Sequence, residues 1–332
     1  MAAAGGVLTC IPAGAYVFYL RGIKNAFKLI DVSCVEWDGS DAMLRAEKPK
    51  LYLGCAEAYR QVVPEWCRRE FGTKVLYHMN PYGSVRVGSV GGGPVIDAKD
   101  QDIKWALAQK PDGIYCYADG ETIKTHYNHW TDRHGIKVHP MPLAADTEVF
   151  KLGEERPALK FDIGWVGGYW PYKSKMLDVY LVPLRNRYRC GFYGWNDHWK
   201  MGPIADHDVR HVFSNAAICP AVSEPHTVEH AIDVPERVFK VPCAGGFTIH
   251  TPTKALDRLG LSEVIPVVKN PTEWFEKIDF YLKNHEARKA LAAKQRRKVL
   301  EGHTYLHRIT SLVADFFPEK MEALKQAKRS LL

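Results

Sequence analysis

Phe161-Asp-Ile-Gly-Trp-Val166 runs directly into Gly167-Gly168 and then into Tyr169-Trp-Pro-Tyr-Lys173. A short apolar, aromatic run that stops at paired glycines reads as a buried strand entering a tight turn. Residues 172–184 suit a helix, so the segment predicts one strand–helix unit of a parallel sheet. The alternation continues outward. Downstream, strands are expected at 188–193, 216–220, 247–249 and 264–268, with helices at 235–241, 254–259, 271–283 and 286–300. Upstream, strands are expected at 15–20, 27–35, 51–55, 75–79, 113–117 and 137–141, with helices at 59–71, 99–109 and 121–134. Residues 84–95, holding Gly88 and Gly91-Gly92-Gly93, read as a loop or hairpin inserted into that pattern. The polar stretch Lys151-Leu-Gly-Glu-Glu-Arg-Pro157 divides two α/β halves as a linker would. Two more helices, 304–317 and 319–331, close the chain.

The 332 residues are 46% hydrophobic and 25% charged, which excludes a disordered or collagen-like chain and allows two packed domains. The formal charge of +7 is uneven. Residues 1–150 hold 17 basic and 17 acidic side chains, 151–290 hold 19 and 17, and 291–332 hold 9 and 4. The excess therefore sits in the closing segment, around Lys294, Arg296, Arg297, Lys298 and the stretch 325–329. That segment is either a solvated helix face or a surface for phosphates.

Eight cysteines are widely and irregularly spaced, with no C-x-x-C pair. They read as buried reduced thiols. The first 20 residues lack a basic n-region and contain Pro12, a poor signal peptide. No apolar run reaches the ~20 residues of a membrane helix. A soluble, cytoplasmic protein is expected.

Ligands of open parallel sheets bind beyond the carboxyl ends of the strands, where glycine admits the backbone and helix N-termini favour anions. Three places qualify. Gly167-Gly168 with Lys173 suits a phosphate, or is a plain tight turn. Gly194-Trp195, closing Gly191-Phe-Tyr-Gly194, offers an aromatic for a base, or a core ring. Arg237-Val-Phe-Lys240-Val-Pro-Cys-Ala-Gly245-Gly246 sets two cations one helical turn apart and a Gly-Gly turn in sequence, the strongest of the three for a diphosphate cradle. The loop Ser223-Glu224-Pro225-His226 should line the same region, and its proline argues against a helix at His226. Glu229 is a carboxylate for ribose or sugar hydroxyls, or a surface charge. A general base would come from the first half. His78 and Asp119 stand at strand ends there, alternatively as a core histidine and a helix N-cap. Asp100-Gln-Asp102 and Asp206-His-Asp208 have a D-x-D form but sit in polar segments, so no metal is assigned.

From about Lys110 to Arg308 the chain resembles the spore-maturation (CgeB-like) family of glycosyltransferases. The resemblance rests on Pro142-Leu-Ala-Ala-Asp146 with Phe150, Phe161-Asp-Ile-Gly-Trp-Val-Gly167, Phe192-Tyr-Gly194, Arg237-Val-Phe-Lys240 through Gly246, and Gly302-His-Thr-Tyr305 with Arg308. It implies an α/β GT-B fold: two Rossmann-like domains facing across a cleft, with a C-terminal helix crossing back to the first. Residues 1–152 would then be the acceptor domain, 158–302 the nucleotide-sugar domain, and 303–332 the returning helices. The implied reaction moves a sugar from a nucleoside diphosphate donor, expected to be a UDP-sugar, to a hydroxyl of a glycan, a protein or a hydroxymethylated DNA base, without a metal. The family pattern reads Arg-x-Phe-Glu, whereas this chain has Lys240, which cannot accept a ribose hydrogen bond. Glu236 or Glu229 would replace that glutamate, or the lysine would reach phosphate. That departure keeps open a non-catalytic nucleotide- or DNA-binding protein on the same fold; a sugar epimerase is a third reading.

Overall fold

The structure is a computed structural model, and it describes residues 5–11, 16–82, 89–90, 93–94, 98–194, 198–199 and 201–332. The expected 84–95 insertion lies largely outside those residues. The chain forms two compact units.

The first unit comprises residues 1–88, 92–142 and Tyr305–Leu331. Its sheet has six parallel strands: β1 (Val7–Thr9), β2 (Cys34–Glu36), β3 (Leu51–Cys55), β4 (Lys74–His78), β5 (Gly113–Cys116) and β6 (Val138–Pro140). They lie in the order β2-β1-β3-β4-β5-β6. β3 and β5 are buried along their whole length, as a sheet covered on both faces requires. The chain winds one way from β1 to β2 and the other way from β3 onward, so a topological switch point lies between β1 and β3.

Ala15 lies outside the described residues, and residues 16–20 are not a strand. Tyr16–Lys28 is a helix, because Tyr19, Leu20, Ile23, Ala26 and Phe27 bury one face at helical spacing. The run of β-branched and aromatic residues masked that period. The expected 27–35 strand shortens to β2, and β1 was too short to read in advance.

The closing helices Tyr305–Arg308, Thr310–Phe316 and Met321–Arg329 belong to this first unit. Gly22 makes room for them, since a Cβ there would overlap the Tyr305 ring. Phe27 meets Phe317 edge-on at 5.8 Å, Lys50 pairs with Glu319 at 3.0 Å, and Arg308 donates to the Pro142 carbonyl oxygen at 3.0 Å.

The second unit is essentially Leu143–Thr304. It begins before the polar 151–157 segment because Ala145 bridges to Thr304 and Phe150 stacks on Phe213. β7 (Ile163–Val166) and β8 (Cys190–Tyr193) are parallel neighbours. Single bridges continue the sheet from Ile163 to Ile218, from Ala221 to His250, and from His250 to Val267. The expected strands at 216–220, 247–249 and 264–268 are thus present only as bridged extended segments. With β7 flanked by β8 on one side and residue 218 on the other, this sheet also reverses its winding beside β7. Its core is built from Trp165, Phe192, Trp199, Ile218, Ile249 and Trp274, among others.

The basic closing segment is divided. Residues 294–298 belong to the second unit and the cations after 305 to the first. Four of the nine are paired with carboxylates: Arg297 with Glu301, Lys298 with Glu263, Lys320 with Asp31 and Lys325 with Glu322.

Candidate functional site

The carboxyl end of β7 gathers the charged and polar side chains of Arg237, Lys173, Glu224 and Trp165. Gly167 ends the strand, and a Cβ there would lie 2.9 Å from an Arg237 guanidinium nitrogen and 3.4 Å from Trp165 Nε1. Only a residue without a side chain leaves that approach open. Arg237 opens the helix Arg237–Cys243, which starts at the carboxyl edge of the sheet. Its guanidinium carbon stacks 3.4 Å from the Trp165 ring centroid, and its Nη2 donates to the Val166 carbonyl oxygen. A desolvated cation over an indole contributes ~1–2 kcal/mol.

Lys173 reaches the same place from the helix Pro171–Tyr180, whose start is fixed by a proline at its first position. Its ammonium lies 4.7 Å from the Trp170 ring centroid, 5.7 Å from that of Trp165, and 3.8 Å from a Glu224 oxygen. Burial lowers the Lys173 pKa to about 8, with Arg237 pushing the same way and Glu224 opposing. Burial likewise draws Arg237 down to about 9 and raises the Glu224 carboxyl, which Lys173 partly offsets. These shifts describe cations held out of water against their preference, which an anionic ligand would relieve.

His226 is buried and fully engaged. Its backbone N–H donates to the Tyr172 hydroxyl at 3.2 Å, that hydroxyl meets Nδ1 at 3.2 Å, and Nε2 meets Asp233 at 3.2 Å. The tautomer that satisfies all three has Nδ1 accepting and Nε2–H donating. The helix Pro225–His230 carries it, contrary to the expectation of a loop, because Pro225 stands at the first helical position where its missing N–H costs nothing.

Buried donors converge here without protein partners. Among the described residues, Trp165 Nε1, Arg237 Nε and Ser223 Oγ make no hydrogen bond. A buried polar group left unsatisfied costs ~1–3 kcal/mol, so three at one strand-end edge point to a ligand with acceptor oxygens.

The remaining sequence candidates separate. Gly168 packs on Trp170, and Gly194 lies against the Gly167 carbonyl and Trp199, so both belong to this edge. Trp195 lies outside the described residues. Lys240 pairs with Glu236 and sits 5.0 Å from the Phe150 centroid. Its half-buried partner Glu236 supplies a carboxylate one helical turn away, whereas the Glu229 side chain is 70% exposed and pairs with its neighbour His230.

Gly245 and Gly246 do not join the cradle expected of them. They follow the carboxyl end of the Arg237 helix and precede residues 247–249, at the amino edge of the sheet. Gly245 has φ +87°, and a Cβ on Gly246 would overlap the Phe213 carbonyl oxygen. These glycines serve a left-handed turn and close helix packing.

In the first unit, His78 is no exposed base. It is completely buried, with its ring 4.4 Å from that of Tyr117 and 5.3 Å from that of Tyr115. Burial opposes its charge, but hydrogen bonds to Cys55 and Glu57 outweigh this and raise its pKa to about 9. An imidazole kept protonated cannot accept a proton at neutral pH. Asp119 is a helix cap: it accepts from the Glu121 and Thr122 backbone N–H groups at 3.0 and 2.9 Å and from the Thr122 hydroxyl at 3.0 Å. In the D-x-D segments, Asp102 pairs with Arg60 and Asp208 with Arg156. Sequence reasoning missed Trp165, Tyr172, Ser223 and Asp233, whose common place depends on strand order.

Residues 173–314 match the family model described as glycosyl transferase-like. The match takes in Lys173, Glu224, His226 and Arg237. A search of curated proteins gives no match. Among solved structures, a glycosyltransferase from Rickettsia africae ESF-5 aligns with TM-score 0.58 at 12% identity, covering 97% of this chain and 99% of its own. Anabaena Alr3699/HepE, in complex with UDP and glucose, aligns with TM-score 0.58 at 9% identity, covering 95% and 100%. T4 phage BGT, in complex with UDP and Mn2+, aligns with TM-score 0.55 at 11% identity, covering 98% and 99%. The α/β fold is that of GT-B glycosyltransferase structures, and family match and fold together support a transferase.

Proposed function

We propose that the protein is a glycosyltransferase that takes a sugar from a nucleoside diphosphate donor, a UDP-sugar, and passes it to a hydroxyl acceptor. The observation that carries this reading is the convergence of Arg237, Lys173 and the unsatisfied Trp165 Nε1 donor beside Gly167, with the unsatisfied Ser223 hydroxyl next to Glu224, which pairs with Lys173. Sugar transfer leaves a diphosphate whose charge grows as the glycosidic bond breaks. Two cations and buried N–H and O–H donors fixed beforehand at that point stabilise it without reorganisation. UDP in two of the similar structures supports uridine as the base.

Proteins with this fold differ in acceptor, and the charge pattern favours a glycan or protein hydroxyl over duplex DNA. Residues 1–150 are neutral overall, and four of the nine closing cations, Arg297, Lys298, Lys320 and Lys325, are paired with carboxylates. Among the described residues no helix is long and apolar enough to cross a membrane, and all eight thiols are free, which suits work in the reducing cytoplasm.

Incubation with a panel of nucleotide sugars, following release of free nucleoside diphosphate, tests the reading. Release from one donor, lost in Arg237→Ala, is the expected result. Lys240 in the place of the family glutamate favours a second reading, a non-catalytic nucleotide-binding protein. That reading predicts UDP binding with no release from any donor.

A further inference from the structure

We propose that Cys55, Glu57 and His78 form a binding site for a zinc-type divalent cation in the first unit. β3 and β4 pair in parallel with Cys55 opposite His78, so both side chains project from the same face at the carboxyl end of neighbouring strands. Glu57 stands two residues beyond Cys55, and its Oε1 accepts from the Asn80 backbone N–H at 2.9 Å, which ties it to the chain leaving β4. One ligand atom from each of the three lies within 4.8 Å of the other two. His78 Nδ1 and Glu57 Oε2 are 3.5 Å apart. Two ligands each ~2.1 Å from a tetrahedral ion are separated by about 3.4 Å.

Chemistry narrows the ion. Metal binding displaces the protons of Cys55 and His78 to solvent, leaving a thiolate, a carboxylate and a neutral imidazole, which together carry two negative charges and cancel a divalent cation. That balance matters where Tyr115 and Tyr117 surround the imidazole and Cys55 and His78 are buried. The thiolate selects zinc-type metals over magnesium or calcium. The Glu57 side chain, 14% exposed, marks the side reached by solvent, so a fourth position there would take water or a hydroxyl. The cluster stands one strand from the β1–β3 switch point, the edge of an open α/β sheet where ligands bind. It belongs to the first unit and shares no residue with the β7 edge of the second, so the inference is independent of the proposed function.

The test uses the full-length protein, stripped with a chelator and titrated with Co2+ alone. One ion per chain is expected, with a near-ultraviolet sulfur-to-cobalt charge-transfer band. The band should vanish in Cys55→Ser and persist in Cys10→Ser, whose thiol is buried nearby. If Cys55→Ser fails to fold by circular dichroism, Glu57→Gln decides, with weaker uptake and an altered visible spectrum expected. No stoichiometric uptake, a spectrum without the thiolate band, the same band in Cys55→Ser, or unchanged titration of Glu57→Gln would each overturn the site.

Discussion

The Arg237 guanidinium carbon lies over the Trp165 indole, 3.4 Å from its centroid, and both groups keep a buried N–H without a partner among the described residues. If those donors await a diphosphate, Trp165→Phe separates two roles of one side chain. The ring under Arg237 stays and the Nε1 donor goes. UDP affinity should fall about threefold to tenfold, the value of one hydrogen bond, while the unliganded protein holds its stability or gains a little. Calorimetric titration and a thermal melt read the two effects. Lower stability with unchanged affinity would mean that Trp165 is only a core residue.

Lys173 gives the site a pH signature. Burial holds its pKa at about 8, below the ordinary lysine value. The cation binds phosphate and the neutral amine does not, so donor binding takes up a proton wherever free Lys173 has lost one. UDP affinity should be level below about pH 8 and decline as pH rises beyond it. Lys173→Met should bind more weakly and lose that slope. A slope that survives in Lys173→Met would assign the titration elsewhere.

Asp119 separates a cap from a base. With both oxygens occupied by Glu121 and Thr122, Asp119→Ala should cost ~1 kcal/mol of stability and leave turnover intact. A collapse of turnover with stability preserved would restore a catalytic role.

Two glycines test packing away from the site. A methyl on Gly246 would overlap the Phe213 carbonyl, and one on Gly22 the Tyr305 ring. Each alanine variant should lose ~1–3 kcal/mol in urea unfolding. Gly22→Ala should in addition expose the closing helices to proteolysis. Wild-type resistance in Gly22→Ala would contradict their docking on the Tyr16–Lys28 helix.

The parallel α/β plan was legible because buried strands such as Leu51–Cys55 and helices such as Pro271–Lys283 carry their own signals, an apolar run and a proline at the first helical position. The Tyr16–Lys28 helix was misread where aromatic residues imitate a strand. Lys173, Glu224, His226 and Arg237 were legible as chemistry beside glycine turns. Their companions were not, since Trp165 and Ser223 resemble core residues until strand order sets both at one edge. Gly245-Gly246 misled for the converse reason: a Gly-Gly pair looks alike at either end of a sheet. Cys55 and His78 meet only through the β3–β4 register, which no sequence spacing expresses.

The central claim is that the edge at Gly167 holds a nucleoside diphosphate sugar by its phosphates. Titration of UDP and of uridine into the wild type and Arg237→Ala tests it most directly. The account predicts one UDP per chain, far weaker binding of uridine, and a loss in Arg237→Ala of about tenfold to a hundredfold for UDP alone. Equal UDP affinity in the folded variant, or no preference of the wild type for UDP over uridine, would contradict it.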